Sequence, residues 1–426
     1  MSDATDRAPA KNIVRKPHTR SYQVVIVALC TVLNMIDGYD LLVVGFTLPH
    51  LPEGFATNPQ KGYLLSAALA GMAIGAIGLA RFADVFGRRR VLIAGLAVNT
   101  IGLAGSALST GFATLLVSRL VTGAAIGTIS VVIIVLGQEV VSQNRRSLAL
   151  GVIMIGSPIG TMLAGFASAG LMSMAGGAWQ GLFWIGAAAG CLSLVLTAVL
   201  LRESTDFVQT TSETHVDVRL LGPDLRYRTL LLASGYSMIA AAYYFIGTWT
   251  PQLISDVSGS TDSGAFAGIM VGVGQVIGGC VYGALGVRVL GARIAAAAAV
   301  IASVAVAAFA VALDGPVAQW LAAILGGTVF AALTGYVATS TAVYPLRARA
   351  KGYGAMLGVG RGGAIMAPVV AGYALNVVDA RAMYLAVTVP LMIAALAAMA
   401  LTRVARSSEN GRTILRSTGS PQAPRP

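Results

Sequence analysis

Two carboxylates stand inside a long apolar stretch near the start of the chain, in the segment NMIDGYDLLVVGF at residues 34–46. Asp37 and Asp40 are three residues apart, so on a helix they share one face. A carboxylate in a low-dielectric environment holds a proton more readily than one in water, and a second carboxylate nearby strengthens that tendency. The pair therefore predicts reversible proton binding within a membrane. The alternative is a structural role, in which Gly38 kinks the helix and the two acids bind backbone groups.

Two arginines also lie within apolar stretches, where a guanidinium normally faces the interior of a helix bundle. Helix rise places Asp37 and Arg119 at a similar depth, about 10 Å below the outer membrane surface. We therefore expect Arg119 to pair with Asp37 in at least one state, and Asp40, one turn further out, to be more exposed. The predicted coupling step is the loosening of this pair, after which Asp37 takes up a proton.

Arg361, in the segment GVGRGGA, and the tyrosines of an earlier stretch are candidate substrate contacts. Arg361 lies about 16 Å into its stretch, near the membrane midplane. There its planar fork suits a carboxylate and its face suits an aromatic ring; an internal salt bridge is the alternative. Tyr236, Tyr243 and Tyr244 are spaced by seven and eight residues, so they share one helical face, from which Tyr243 is the candidate to stack on a substrate ring. Most such aromatic stripes pack inside the protein or lie at the membrane interface.

The elements that must position these residues are predicted to be membrane-spanning helices. The chain has 426 residues, of which 56% are hydrophobic and 11% charged, and its mean hydropathy is +0.78. A soluble domain carries about a quarter charged residues. Apolar stretches of about 20 residues, the length that crosses a hydrocarbon core, recur along the whole chain. The predicted spans are 22–49, 61–82, 90–109, 112–138, 147–172, 179–201, 229–254, 263–285, 291–313, 317–344, 350–377 and 380–402.

The basic residues indicate the orientation of these spans. With the N-terminus inside, all of the 29 lysines and arginines lie on the cytoplasmic side except Lys61, Arg119, Arg361 and Arg381. This positive-inside bias predicts that both termini are cytoplasmic. It also accounts for the net charge of +12 without a nucleic-acid partner. We expect a multi-pass protein of the plasma (inner) membrane of a bacterium.

A polar segment divides six predicted spans from the other six, which favours two bundles related by an axis along the membrane normal. The predicted fold is therefore an all-α membrane protein of twelve transmembrane helices in two six-helix bundles. Its predicted parts are a cytoplasmic N-terminal tail 1–21, a first bundle 22–201, a cytoplasmic linker 202–228, a second bundle 229–402, and a cytoplasmic C-terminal tail 403–426 that we expect to be unstructured.

Several functional classes lack their motifs. No GxxxxGK[ST], GxSxG or HExxH occurs, so neither a P-loop ATPase nor the common hydrolase sites are indicated, and we do not expect an enzyme. The spacing of cysteine and histidine predicts no metal site. If the chain moves a substrate uphill, an ion gradient must therefore drive it, and we expect a monomer without a cofactor. Its expected partners are a small organic anion, protons and the lipid bilayer.

The loop ARFADVFGRRR at 80–90 resembles the signature loop of the major facilitator superfamily through Asp84, Gly87, Arg88 and Arg89. In that family the loop forms charge contacts that hold the inside gate, so the resemblance implies a gating role for these four residues. Plain anchoring of basic residues at the cytoplasmic side is the alternative. Two positions depart from the family pattern, Ala80 and Val85.

Other segments resemble the same superfamily and one of its branches. Arg119, Gly123 and Gly127 match the pattern R-x-x-x-G-x-x-x-G, whose glycines favour close helix packing. The aromatic acid:proton symporters are resembled by DGYD, by AWQGLFWIG with the later LLRES, and by YPLRARAKGYGAMLGVGRGGAIMAP at 344–368. The resemblance implies the major facilitator fold and import of a small organic anion, an aromatic carboxylate such as a (hydroxy)benzoate, together with protons.

One motif favours a different function. GSPIG at 156–160 resembles a motif that is commoner in drug:proton antiporters, although its glycines and Pro158 also suit simple kinking and packing. A proton-coupled exporter of drugs or metabolites is therefore one alternative. A membrane sensor that binds a ligand without transporting it is another, and the absence of a signalling domain in the sequence disfavours it.

Overall fold

A computed structural model describes residues 19–80, 82–142, 145–172, 178–201, 220–223, 225–286, 288–315, 317–344 and 349–418. Within these ranges every regular element is helical, and twelve helical segments are long and apolar enough to cross a membrane. Helices satisfy all their backbone hydrogen bonds internally, which hydrocarbon surroundings require. The predicted all-α class and the predicted number of spans are confirmed.

The helices follow the predicted spans closely. In chain order they are α1 Arg20–Thr47, α2 Asn58–Ile74, α3 Phe82–Phe86, α4 Arg88–Ala107, α5 Phe112–Val140, α6 Arg146–Met154, α7 Gly156–Met172, α8 Gln180–Leu200, α9 Arg226–Ser258, α10 Thr261–Gly286, α11 Gly291–Val311, α12 Val317–Val343, α13 Arg349–Ala374 and α14 Ala380–Thr418. A 3₁₀ turn, Leu48–His50, follows α1, and a π-helical segment, Gly75–Leu79, continues α2. Helices α6 and α7 together make the fifth span.

The helices form two bundles that repeat one packing plan. In the first bundle α1 packs on α7, α2 on α5, and α4 on α8. In the second bundle α9 packs on α13, α10 on α12, and α11 on α14. Counted as spans, these are the same three pairs in each half. Between the bundles, α2 packs on α13, α7 on α10, and α1 on α9.

Glycines bring α1 and α7 into backbone contact. A Cβ on Gly38 would collide with the backbone of Ser157, and one on Gly160 would collide with the carbonyl of Met35. Gly160 and its neighbours belong to the GSPIG segment at 156–160. The close approach supports the packing interpretation of this motif. It also holds the face of α1 that carries the two aspartates in a fixed orientation toward α5.

The glycines of the fourth span pack in the same way. A Cβ on Gly123 would collide with the carbonyl of Ala68, and one on Gly127 with the carbonyl of Met72. The predicted close-packing role of these two glycines is therefore confirmed. Their contact fixes α5 against α2 and thereby sets the position of the arginine at the start of the same motif.

The two bundles meet near one end of the molecule. We call it the outer end; it carries the turn at 51–57 and is the end predicted to face away from the cytoplasm. Here the hydroxyls of Tyr63 on α2 and Tyr373 on α13 are 2.5 Å apart. Gly62 lies so close to the carbonyl of Pro368 that a Cβ would not fit. The outer ends of α2 and α13 are thus in direct contact.

The last helix is longer than the sequence predicts. The final apolar stretch ends near residue 402, yet α14 continues to Thr418. Residues 403–418 were expected to be unstructured, and this expectation is wrong for the backbone of that segment. Adding residues to an existing helix avoids the unfavourable nucleation step, so a polar segment can continue a helix that the membrane part has started.

Candidate functional site

A buried ion pair joins the first and fourth spans. The side chains of Asp40 on α1 and Arg119 on α5 are both fully buried, and Nη1 of the arginine donates to Oδ1 of the aspartate. Ser106 of α4 accepts two further hydrogen bonds through its hydroxyl, from Nε at 3.2 Å and from Nη2 at 2.8 Å. The guanidinium also lies 4.9 Å from the ring centroid of Phe183 on α8. The charge of Arg119 on α5 is therefore contacted from three other helices, α1, α4 and α8.

This pairing differs from the predicted one, which joined Arg119 to Asp37. The prediction measured depth along α1 from an assumed start near residue 24. The helix begins earlier, at Arg20, and its 28 residues extend about 42 Å, well beyond the hydrocarbon core. Counted from the outer helix ends, Asp40 lies seven residues before Thr47 and Arg119 seven residues after Phe112. The two match in depth, and Asp37 lies a turn deeper.

The predicted exposure of the two acids is also reversed. Asp40 is 0% exposed and Asp37 is 8% exposed. The ion pair with Arg119 explains this order, because a fully buried carboxylate needs a charged partner and Asp40 has one. Asp37 lies nearer to the space between the bundles, where it interacts electrostatically with Arg361 of α13. Arg361 belongs to the second bundle, so Asp37 interacts electrostatically across the two bundles.

The direct partner of Asp37 is a serine that the sequence analysis did not single out. Ser130 of α5 lies with Oγ 2.7 Å from Oδ2 of Asp37 and 2.9 Å from the carbonyl of Ile126. The other carboxylate oxygen, Oδ1, is buried and has no hydrogen-bond partner. Ser130 follows Arg119 by eleven residues, about three helical turns, so both face α1. That spacing is the signal in the sequence that could have found it.

A serine hydroxyl has one hydrogen but can also accept hydrogen bonds. If Asp37 is ionised, Ser130 donates to its carboxylate. If Asp37 is protonated, it can donate to Ser130, which then donates to the carbonyl of Ile126. The geometry at Asp37 therefore suits both protonation states without any movement of heavy atoms. The ion pair at Asp40 suits only the ionised form of that acid.

Arg361 lies at the contact between the two bundles. Its Nη1 contacts the sulfur of Met72 on α2, and it interacts electrostatically with Tyr236 and Tyr244 on α9 and with Tyr353 on α13. In the part of the chain that the structure describes, no Asp or Glu lies within ion-pair distance of Arg361. The alternative of an internal salt bridge is therefore not supported.

Aromatic rings lie beside Arg361. The ring of Tyr243 is 5.1 Å from that of Tyr244 and 6.1 Å from that of Phe330 on α12. Gly360 has the ring of Tyr236 where a Cβ would otherwise stand, so this ring reaches the neighbour of Arg361. The predicted aromatic face of α9 thus lies beside the arginine. Phe330 was not foreseen, because only the packing of α12 on α9 brings it there.

The signature loop connects the inner ends of three helices. Gly87 has φ +93° and is the residue before α4, a backbone conformation that glycine adopts without strain. Arg88 pairs with Glu139 at the end of α5, and Arg89 donates to the carbonyl of Ala198 on α8 at 2.8 Å. Glu139 was not predicted as a partner. The side chain of Asp84 lies outside the described residues, as does Arg347 of the tenth loop.

The described residues bring no three His, Cys, Asp or Glu side chains together as a metal site would require.

Comparison with known proteins places this arrangement among transporters. The sequence matches the family model described as Major Facilitator Superfamily over residues 27–356. It is 28% identical over 401 residues to a 3-(3-hydroxy-phenyl)propionate transporter of Escherichia coli K12, covering 91% of this chain and 96% of that one. It is 27% identical to a gallate transporter of Pseudomonas putida, with 95% of each chain covered. It is also 27% identical to the 4-hydroxybenzoate transporter PcaK of Pseudomonas aeruginosa, with 85% and 88% covered.

Solved structures agree on the fold. The crystal structure of a D-xylose-proton symporter superposes with a TM-score of 0.74 at 17% identity, covering 89% of this chain and 97% of that chain. A bacterial homolog of the human lysosomal transporter Spinster, in an inward-facing and occupied conformation, gives a TM-score of 0.73 at 18% identity, with 91% and 98% covered. At these identities the likeness concerns the fold alone.

Proposed function

Because the chain belongs to the major facilitator superfamily, whose members are transporters rather than enzymes, we propose that it is a symporter that imports a small aromatic carboxylate together with protons. The relatives carry names of hydroxyphenylpropionate, gallate and hydroxybenzoate transporters. Each of these substrates has an aromatic ring, a hydroxyl group and a carboxylate. A hydroxybenzoate is therefore the first substrate to test.

The observation that carries this proposal is an arginine without an acidic partner beside an aromatic surface. The thioether sulfur of Met72, which Arg361 contacts, is only a weak acceptor. A substrate carboxylate would replace it with charge-assisted, bidentate hydrogen bonds to the guanidinium. The substrate ring would then lie against Tyr243 and Tyr244, whose rings already form an edge-to-face pair. Ring and charge are thus recognised on adjacent surfaces.

Proton coupling follows from the position of Asp37 near the same arginine. In the empty carrier the positive charge of Arg361 acts on Asp37 across the contact between the bundles. A bound substrate carboxylate neutralises that charge and thereby favours uptake of a proton by Asp37. Ser130 can accept a hydrogen bond from the protonated acid. Substrate and proton therefore bind cooperatively. Moving them together also avoids opposing an inside-negative membrane potential, which would cost about 2.3 kcal/mol per charge at 100 mV.

The other candidate residues receive supporting roles in this proposal. The Asp40–Arg119 pair keeps α1, α4 and α5 in register and stays ionised throughout the cycle. Asp84, Gly87, Arg88 and Arg89 form the inner gate, where the contact of Arg88 with Glu139 links the loop to the end of α5. We place both termini in the cytoplasm of a bacterium, from the distribution of basic residues, and expect a monomer that needs no cofactor.

The competing exporter hypothesis rested on the GSPIG segment. Its glycines pack against α1. This packing accounts for the motif without drug export. The non-transporting sensor hypothesis has no supporting observation in the described residues.

Uptake by purified protein in liposomes tests the proposal. We expect labelled 4-hydroxybenzoate to accumulate when the outside is more acidic, and far less without a pH gradient. Arg361→Ala and Arg361→Lys should both weaken substrate binding strongly, because the lysine keeps the charge but not the fork. Arg381→Ala is the matched control, since Arg381 pairs with Asp314 at the outer end, 2.6 Å away. Normal binding in both Arg361 variants, or gradient-driven efflux of a dye without carboxylate uptake, would contradict the proposal.

A further inference from the structure

A groove outside the transport pathway opens between α10 and α11, with α12 as its floor. Its volume is about 560 Å³. Helix α12 packs against both neighbours, whereas α10 and α11 barely touch each other. Small residues line the groove where α10 meets α12. The backbones of Gly274 and Gly278 of α10 lie directly against Ala323 and Gly327 of α12, and none of these four residues has a side chain large enough to fill the groove.

The walls of the groove are apolar along almost their whole length. Thr328 is its one hydroxyl residue, and that hydroxyl is bonded within its own helix to the carbonyl of Ile324 at 2.7 Å. The one charged lining residue is Arg293, in the first turn of α11 and exposed at the end predicted to be cytoplasmic. Arg288, in the preceding turn, is exposed at the same end. The groove is therefore a long apolar channel with a cationic mouth.

Among the described residues between 226 and 408, no acidic residue stands at the end of the second bundle that carries this mouth. Between residues 226 and 408 the acids are Asp256, Asp262, Asp314 and Asp379. All four stand at the outer ends of their helices, beside the turns that join α9 to α10, α11 to α12, and α13 to α14. The corresponding loop of the first bundle differs, since its Arg88 pairs with Glu139. Arg288 and Arg293 therefore form a cationic mouth that suits an anionic ligand.

We propose that this groove binds an anionic phospholipid of the cytoplasmic leaflet, with one acyl chain between α10 and α11 and the headgroup phosphate on Arg293. An acyl chain matches the apolar walls and their orientation across the membrane. Basic pockets between transmembrane helices on the cytoplasmic side are a known recognition mode for anionic headgroups. A free phosphate lacks the chain that the groove accommodates, and a zwitterionic lipid lacks the net negative charge that the cationic mouth favours.

The site also adjoins a contact between the bundles. Gly272, two residues before the α12-facing Gly274 of the same helix α10, lies against Met162 of α7. A lipid that holds α10 and α11 together therefore supports the helix on which the first bundle rests. Bound lipid should accordingly stabilise the folded protein, as any ligand that binds only the native state does.

The test compares lipid retention by purified, delipidated full-length protein. Equimolar phosphatidylglycerol and phosphatidylethanolamine with identical acyl chains are added, and bound lipid is counted by native mass spectrometry. We expect one retained phosphatidylglycerol per chain and a higher melting temperature with that lipid. Arg293→Gln should lower its affinity about tenfold, equivalent to about 1.4 kcal/mol, and remove the headgroup preference. Ala297→Phe, at an exposed position that lines the groove, should reduce retention of both lipids.

Arg146→Gln is the matched control, because Arg146 is an exposed arginine at the start of α6 and lies away from the groove. It should retain phosphatidylglycerol as the unmodified protein does. Equal retention by all variants would overturn the proposal, as would equal stabilisation by inorganic phosphate. A dimer that Ala297→Phe dissociates would show instead that a second copy occupies the groove. Ala297→Leu, a smaller filler, repeats the test should the phenylalanine variant fail to fold.

Discussion

Replacing each aspartate of the first span by asparagine should have opposite consequences at the two positions. Asp40→Asn leaves the guanidinium of Arg119 fully buried without its counter-ion. Breaking a buried pair in this way costs about 3–5 kcal/mol. The two bonds to Ser106 and the ring of Phe183, 4.9 Å away, remain. They keep part of the charge stabilised, so we expect a loss of free energy of unfolding in the lower half of that range.

Asp37→Asn should change stability much less. Asp37 has no ion pair, and an asparagine carbonyl oxygen can still accept the hydrogen bond that Ser130 donates at 2.7 Å. We expect a loss of at most about 1.5 kcal/mol, the net contribution of one hydrogen bond. The amide cannot take up a proton, however. Proton-driven accumulation of substrate should therefore disappear in this variant, while exchange of substrate down its own gradient continues.

Two assays separate the two effects. Unfolding in SDS-containing mixed micelles, followed by tryptophan fluorescence, gives the relative free energies of unfolding. Accumulation and counterflow of labelled 4-hydroxybenzoate in liposomes give coupling and exchange. The control is the double variant Asp40→Leu with Arg119→Met, which removes both charges and should recover most of the lost stability. Equal destabilisation by both asparagine variants, or loss of exchange in Asp37→Asn, would refute the assignment of distinct roles.

Three further predictions concern residues around the site and the gates. Ser130→Ala leaves the carboxylate of Asp37 without its hydrogen-bond donor, so accumulation of substrate should fall several-fold while exchange is retained. Ser130→Thr should restore accumulation, and equal loss in the alanine and threonine variants would contradict the role of the hydroxyl. Tyr373→Phe removes the 2.5 Å hydroxyl contact with Tyr63, worth about 1 kcal/mol, so the outward-open state should be more populated and the external KM for substrate lower; an unchanged KM would show that the contact does not hold the outer end. Glu139→Gln and Arg88→Gln should slow transport to a similar extent, and the double variant no further, because both remove one interaction; additive losses would argue against a functional pair.

The helices could be predicted from the sequence because each membrane span must be long and apolar by itself. Twelve stretches of sufficient length therefore predict twelve spans, and the described part of the chain has twelve such helical segments. The close-packing glycines of the fourth span could be predicted for a similar reason, since their spacing is a property of a single helix. Side-chain partners between helices are different, because they depend on relative depth and rotation.

The pairing of Arg119 shows how that dependence limits prediction. An error of one helical turn in the depth of α1 exchanged Asp37 for Asp40, which lie on the same face. Ser130 and Phe330 were missed because neither is unusual within its own helix. Only the packing of α5 on α1 and of α12 on α9 gives them a role. Arg361 was recognisable from its charge alone, and its lack of an acidic partner required the structure.

The contact between Arg361 and Met72 bears on how substrate binding is coupled to separation of the two bundles. It joins α13 of one bundle to α2 of the other, so the proposed substrate-binding residue also lies at the contact between the two bundles. Under the proposed function, a carrier that holds a proton but no substrate would keep this contact, so protons would not cross the membrane alone. A substrate carboxylate bound to the guanidinium would replace the contact with Met72, so that binding of the substrate itself would allow the two bundles to separate.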